Sequence, residues 1–150
     1  FKMMNTPGHT VGIGSGNLSP DYVFIGQNPG DSISNGYPVW SNEKDGSSKV
    51  LLPILQTLNL DVRSYFTNLV KSTTIDNSKP SEESVKFWRT YLDEELKILK
   101  MGNPNMKIVK MGKFVEDNLD LDGIKIKHPA YYLRTGNIDE YENEIREKIR

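Results

Sequence analysis

The sequence predicts a three-layer α/β/α sandwich with a central, mostly parallel four-stranded sheet. Two observations carry this. Short apolar runs alternate along the chain with segments of helical periodicity, the pattern of a parallel sheet with crossover helices. The first run, Tyr22-Val23-Phe24-Ile25, is apolar at every position, as in a strand covered on both faces.

Gly26 closes that first strand. Val50 to Leu60 reads as a helix, with Leu51, Ile54, Leu55 and Leu58 on one stripe, and Pro53 puts its start near that residue. Tyr65 to Val70 is a second strand, and IDNSKP at 75–80 marks irregular structure. Ser81 is a suitable N-cap, and Glu82 and Glu83 suit the positive end of the helix it opens. Val85, Trp88, Leu92, Leu96 and Leu99 follow helical spacing; Lys97 and Lys100 suit the negative end, and Gly102 stops the helix. Met106 to Met111 is a third strand, followed by Gly112 and a short helix from Lys113 to Leu119. Gly123 to Lys127 alternates like an edge strand and runs into His128-Pro129. Ile138 to Arg150 has the charge pattern of a terminal helix.

A length of 150 residues fits one domain spanning 1–150 with a sizeable core. Apolar residues are 36% and charged residues 26%, an ordinary globular composition. A net charge of −1 argues against a globally basic coat but leaves room for a local basic groove. The chain has no cysteine, which excludes disulfides, zinc thiolates, thiol catalysis and cysteine-held iron–sulfur clusters. No apolar run approaches the length of a membrane span, and the first residues lack the regions of a signal peptide, so an intracellular location is expected.

In a parallel sheet, ligands bind beyond the carboxyl ends of the strands. Gln27 and Asn28 follow the first strand, Asn68 lies near the end of the second, and His128 follows the last. Each has a bland reading. Asn-Pro-Gly at 28–30 is ordinary turn chemistry, and a histidine before proline is commonly structural. Asn68 within an apolar strand needs a hydrogen-bond partner, from a loop backbone or a ligand. Trp88 is core by periodicity, whereas Trp40 is either a stacking platform or a lid. No Gly-Lys-Ser/Thr follows the turn, so it is not a P-loop, and IGSG at 13–16 precedes its strand instead of following it.

Taken together and in order, GQNPG at 26–30, GYP at 36–38, TNLVKS at 67–72 with NSKP at 77–80, and HPAYYLR at 128–134 resemble the uracil-DNA glycosylase superfamily. They are most similar to its type-four, iron–sulfur members. VGIGSG at 11–16 looks like the segment before the first strand there, so the likeness covers nearly the whole chain. Departures accompany it. Ser72 and Trp88 stand about where two cluster cysteines would be, and with no cysteine the cluster is lost. Val39 replaces the aromatic that stacks on the target base, with Trp40 next to it. Gln27-Asn28 replaces Glu-Ala, and an Asn at that third position resembles the mismatch-specific and single-strand-selective branches.

The resemblance implies a monofunctional DNA glycosylase that removes a flipped-out uracil or related modified pyrimidine and leaves an abasic site. Asn28 would place the attacking water, His128 would stabilise the departing base, and Gln27 shares their catalytic wall. Asn68 would read the base in a pocket lined by Gly26, Val39 and Trp40. Tyr131, Tyr132 or Leu133 would wedge into the duplex, while Arg134, Lys71 and Lys79 would contact phosphates. No metal or cofactor is required, and a monomer acting on DNA, away from membranes, is expected. The alternative is a weak or inactive DNA-binding relative of the same fold.

Overall fold

The structure, a computed structural model, describes residues 10–30, 37–38 and 46–149. Strands β1 (Gly12–Ile13), β2 (Ser15–Gly16), β3 (Tyr22–Gly26) and β4 (Tyr37–Pro38) precede helix α1 (Gly46–Thr57). Then come β5 (Ser64–Asn68), a 3-10 turn (Ile75–Asn77), α2 (Glu82–Gly102), β6 (Lys107–Met111), α3 (Lys113–Asn118), β7 (Ile124–Ile126), α4 (Pro129–Thr135) and α5 (Ile138–Lys148). The main sheet has the order β2-β5-β3-β6-β7. β3, β5, β6 and β7 run parallel, and β2 is antiparallel to β5. β1 and β4 form a separate parallel pair.

β3 lies at the centre, and its side chains explain its composition. Tyr22 and Phe24 join a core with Val50, Leu51, Ile54 and Leu55 of α1, Tyr132 of α4, and Tyr141 and Ile145 of α5. Val23 and Ile25 join a second core with Leu92, Leu96 and Leu99 of α2 and Val115 of α3. Alternate side chains leave opposite faces of a strand. Helices therefore cover both faces, giving the three layers that the alternation of runs predicts.

The sheet carries one strand more than the four expected. Ser15–Gly16 pairs with Phe66 and Tyr65, and a two-residue strand leaves no periodic trace in sequence. Pro53 does not start α1, which begins at Gly46 and carries the proline inside. The missing N–H and the ring clash cost about 3 kcal/mol. Burial of Val50, Leu51, Ile54 and Leu55, each 4% exposed or less, contributes roughly 1.5–3 kcal/mol per side chain and outweighs it. Pro53 itself faces solvent. α2 matches expectation: the Ser81 side chain accepts from the Ser84 N–H, Glu82 and Glu83 occupy the first turn, and Lys100 the last. Among the described residues, no helix is long and apolar enough to cross a membrane.

The α4–α5 corner is built on aromatic rings. Tyr132 stacks on Tyr141 with ring centroids 4.3 Å apart. The Tyr141 hydroxyl is buried with no hydrogen-bond partner among the described residues. Burial pushes its ionisation well above the ordinary tyrosine range, reinforced by Glu144 and Tyr132. A buried unpaired hydroxyl costs about 1–3 kcal/mol. Tyr141→Phe keeps the ring stack and removes that cost, so it is expected to raise the melting temperature by roughly 2–6 °C in a thermal denaturation scan.

Candidate active site

The parallel register brings three of the strand ends to one rim. Gly26 pairs directly with Asn68. Beyond the ladder, the Leu69 N–H donates to the Gly26 carbonyl at 2.8 Å and the Val70 N–H to the Gln27 carbonyl at 3.0 Å. The turn after β3 is thus tied to the end of β5 through its backbone, which brings Gln27 and Asn28 beside Asn68; the Gln27 side chain itself turns toward α3. On the other side of β3, Met111 pairs with Ile126, and the Gly112 N–H donates to the Ile126 carbonyl. His128 lies two residues further on. From β5 across β3 and β6 to β7 is three strand spacings, roughly 14 Å at the backbone, and the side chains from both walls narrow this gap.

Asn68 and His128 also share a side of the sheet. Ser64, Phe66 and Asn68 have the same parity in β5, and Phe66 packs in the core beneath α1 and α4. His128 is the N-cap of α4. Asn68 is only 2% exposed.

Gly112, between the two walls, has φ +93, and a Cβ there would sit 3.2 Å from the His128 Cβ. An L side chain would be both strained and crowded against the histidine. The absent side chain keeps the floor between β3 and β7 open.

His128 has a defined protonation state. Its Nδ1 accepts from the Ala130 N–H at 3.0 Å. Burial, with a smaller contribution from the nearby Arg134 cation, lowers its pKa from 6.5 to about 4. At neutral pH the ring is uncharged, and because Nδ1 is an acceptor the proton resides on Nε2. Nε2–H is therefore a fixed neutral donor at the rim.

Asn28 is half-buried above a buried Pro29. Its Nδ2 donates to the Pro29 carbonyl at 3.2 Å, which orients the amide and makes Oδ1 its acceptor end. Gln27 lines a cleft of about 590 Å³ with Asn77, Lys79, Lys113, Phe114, Asp117 and Asn118, in which Lys113 pairs with Asp117 at 3.5 Å. Lys79 is exposed, with Nζ 5.5 Å from the centre of the Phe114 ring.

Two expected DNA contacts are corrected. Lys71 does not face outward. It is 7% exposed, and its ammonium donates to Glu95 Oε1 at 2.6 Å, the Asn68 carbonyl at 2.7 Å and the Thr67 hydroxyl. All three protons are engaged inside the fold, so none reaches a phosphate. Tyr132 is 1% exposed in its stack on Tyr141 and has no path into a duplex. Its neighbours do: Tyr131 and Leu133 are 40% and 47% exposed, and Arg134 is exposed. The Lys127 Nζ lies 4.6 Å from the centre of the Tyr131 ring. Val39 and Trp40 lie outside the described residues.

Three residues were missed from sequence. Gly112 and Lys113 lie where β6 passes into α3, a junction whose importance depends on which strands become neighbours. Glu95 had a readable signal. It falls between Leu92, Leu96 and Leu99 on the apolar stripe of α2, and an acid on a core-facing stripe requires a buried cation.

A family model described as the uracil DNA glycosylase superfamily matches residues 13–150. No individual curated protein matches the chain significantly. The matched span includes every described strand end of the rim, together with Asn28, Asn68 and His128. The chain belongs to the uracil DNA glycosylase superfamily.

Proposed function

We propose that this protein is a monofunctional DNA glycosylase that hydrolyses the N-glycosidic bond of a flipped-out uracil or closely related pyrimidine. The observation that carries the reading is the neutral Nε2–H donor of His128, held on the same side of the sheet as the buried amide of Asn68. A base leaving as an anion needs such a donor, and an edge-reading amide needs such a position.

The target nucleotide first leaves the stack, at a cost of a few kcal/mol. Tyr131 and Leu133 are the exposed residues available to fill the gap, and Arg134 the cation available to hold a phosphate. The Asn68 amide presents a donor and an acceptor side by side, matching O4 and N3–H of uracil. Cytosine presents the opposite order and would leave both groups mispaired.

The bond between C1′ and the base nitrogen then breaks, and its electron pair goes to the base. Charge accumulates on uracil O2, where His128 Nε2–H donates. A neutral donor stabilises this charge without giving up its proton, as an oxyanion hole does. The sugar becomes oxocarbenium-like, and a water held by Asn28 Oδ1 adds to C1′. An amide is a weak base, but addition to a cation needs placement more than deprotonation. The released proton passes to solvent or to the departing base, giving uracil and an abasic site.

The type-four pattern, the nearest branch by motif, implies an iron–sulfur cluster, and the residues here do not fit one. The chain has no thiolate. Ser72 and Trp88, at two of the corresponding positions, touch each other: Trp88 Nε1 donates to Ser72 Oγ at 3.3 Å. Trp88 is 3% exposed and packs with Phe87 and Tyr91. Aromatic packing fills this corner, and no catalytic step depends on a cluster.

A uracil-containing oligonucleotide treated with the protein and then with alkali is expected to be cut at the uracil. His128→Ala and Asn28→Ala each reduce the rate about 10²–10³-fold. Asn28→Asp is expected to increase it, because a carboxylate activates the water as well as placing it. Binding of the same oligonucleotides with no abasic site formed would leave a DNA-binding relative of the fold.

The state of His128 sets a pH dependence. Protonating Nδ1 destroys its acceptance from Ala130, so the catalytic contribution of this residue should hold from about pH 8 to pH 5 and fall as pH drops through about 4. Stability follows the same depressed pKa. Between 6.5 and about 4 the unfolded chain binds a proton that the folded state refuses, so stability falls as pH is lowered through that window and is unaffected by this group above it. Denaturant titrations at pH 7 and pH 4.5 are expected to show this loss in the wild type and a smaller one in His128→Gln.

A further inference from the structure

We propose that Lys71, held by Glu95, is a positioning residue that clamps the peptide between Asn68 and Leu69 and so sets the orientation of the base-reading amide. The inference rests on the glycosylase reading above and assigns Lys71 a role inside the fold. The two sides of this peptide show why a clamp is needed. The Leu69 N–H points toward β3 and donates to the Gly26 carbonyl. In a trans peptide the carbonyl points the opposite way, toward the β2 side. Among the described residues, β2 pairs with Phe66 and Tyr65 and does not reach Asn68. The Lys71 ammonium takes the place that a strand would have filled, donating to the Asn68 carbonyl at 2.7 Å.

The ammonium is itself fixed. Glu95 Oε1 accepts from Lys71 at 2.6 Å and from the Thr67 hydroxyl at 2.8 Å, and Oε2 accepts from the Tyr65 hydroxyl at 2.7 Å. The Thr67 hydroxyl, donating to Glu95, accepts from Lys71. Every donor in the group has an acceptor, the condition for a buried polar network to rigidify its surroundings. Burial lowers the Lys71 pKa below the ordinary lysine value, and Glu95 opposes that shift without cancelling it. A Cβ on Gly14 would lie 2.2 Å from the Tyr65 hydroxyl and 2.3 Å from Glu95 Oε2, so the backbone at Gly14 closes over the group without room for a side chain. The network reaches the Asn68 backbone from inside the fold, so it is built to hold that residue, not to meet DNA.

The test separates positioning from stability. Lys71→Met leaves the Glu95 carboxylate buried without its cation and should lower the melting temperature by roughly 5–10 °C. Lys71→Met combined with Glu95→Gln removes both charges and should recover most of that loss while leaving the Asn68 carbonyl unclamped. The double variant is expected to lose roughly 100-fold in single-turnover cleavage of uracil DNA, with less than about threefold change in the DNA concentration giving half-maximal rate. Its Asn68 side-chain amide signals should shift or broaden in a 15N–1H NMR spectrum while those of the Val23 and Leu92 backbone stay in place. Wild-type cleavage rate and unchanged Asn68 signals in the folded double variant would overturn the proposal. If the wild type cleaves nothing, the glycosylase reading fails, and the Asn68 signals still decide whether Lys71 positions that residue.

Discussion

The rim depends on β3 being covered on both faces. Two cores press on its alternating side chains, and its edges are taken by β5 and β6. A one-residue slip would exchange the two faces and place Tyr22 and Phe24 in the space occupied by Val23 and Ile25. The register is therefore held by volume as well as by hydrogen bonds. Gly26 can face only Asn68, and the Gln27-Asn28 turn can emerge only beside it. The site draws its precision from the core that fixes these strand ends.

The polar groups near the rim divide into those that face the opening and those that hold the backbone beneath it. Lys71 and Lys110 are both buried lysines, 7% and 5% exposed. Lys71 caps a strand carbonyl, and Lys110 donates to the carbonyls of Leu119 and Leu121 beyond the end of α3. Each replaces backbone partners that the topology does not supply. A lysine count therefore overstates the basic surface of this protein. Among the described residues, the exposed cations near the turn and α4 include Lys79, Lys127 and Arg134, while Lys113 is shared with Asp117 at 3.5 Å, on a chain that is otherwise nearly neutral.

Much of the architecture was legible in the sequence because it follows from periodicity. The runs at β3, β5 and β6 and the stripe of α2 announce both their type and their buried faces, and the order of types implies a parallel sheet. The candidate site was legible through strand ends, since Gln27, Asn28, Asn68 and His128 each interrupt or follow an apolar run. What escaped depends on tertiary placement. α4 was hidden inside the motif HPAYYLR, where a histidine N-cap and a proline at its first position replace the usual Ser or Asp signal. The direction of Lys71 was decided by Glu95, twenty-four positions away, and that of Tyr132 by Tyr141. A lysine or tyrosine after a strand reads as surface chemistry until the partner that buries it is known.

The contact between Trp88 and Ser72 has a consequence for how the protein comes into being. An indole and a hydroxyl meet by chain collapse alone. This corner of the fold is complete when folding is complete, without a maturation step that delivers iron and sulfide. It also offers no thiol for an oxidant to attack. The durability of this corner in an oxidising or iron-starved setting is then that of ordinary aromatic packing, set by folding stability and not by the supply of a prosthetic group.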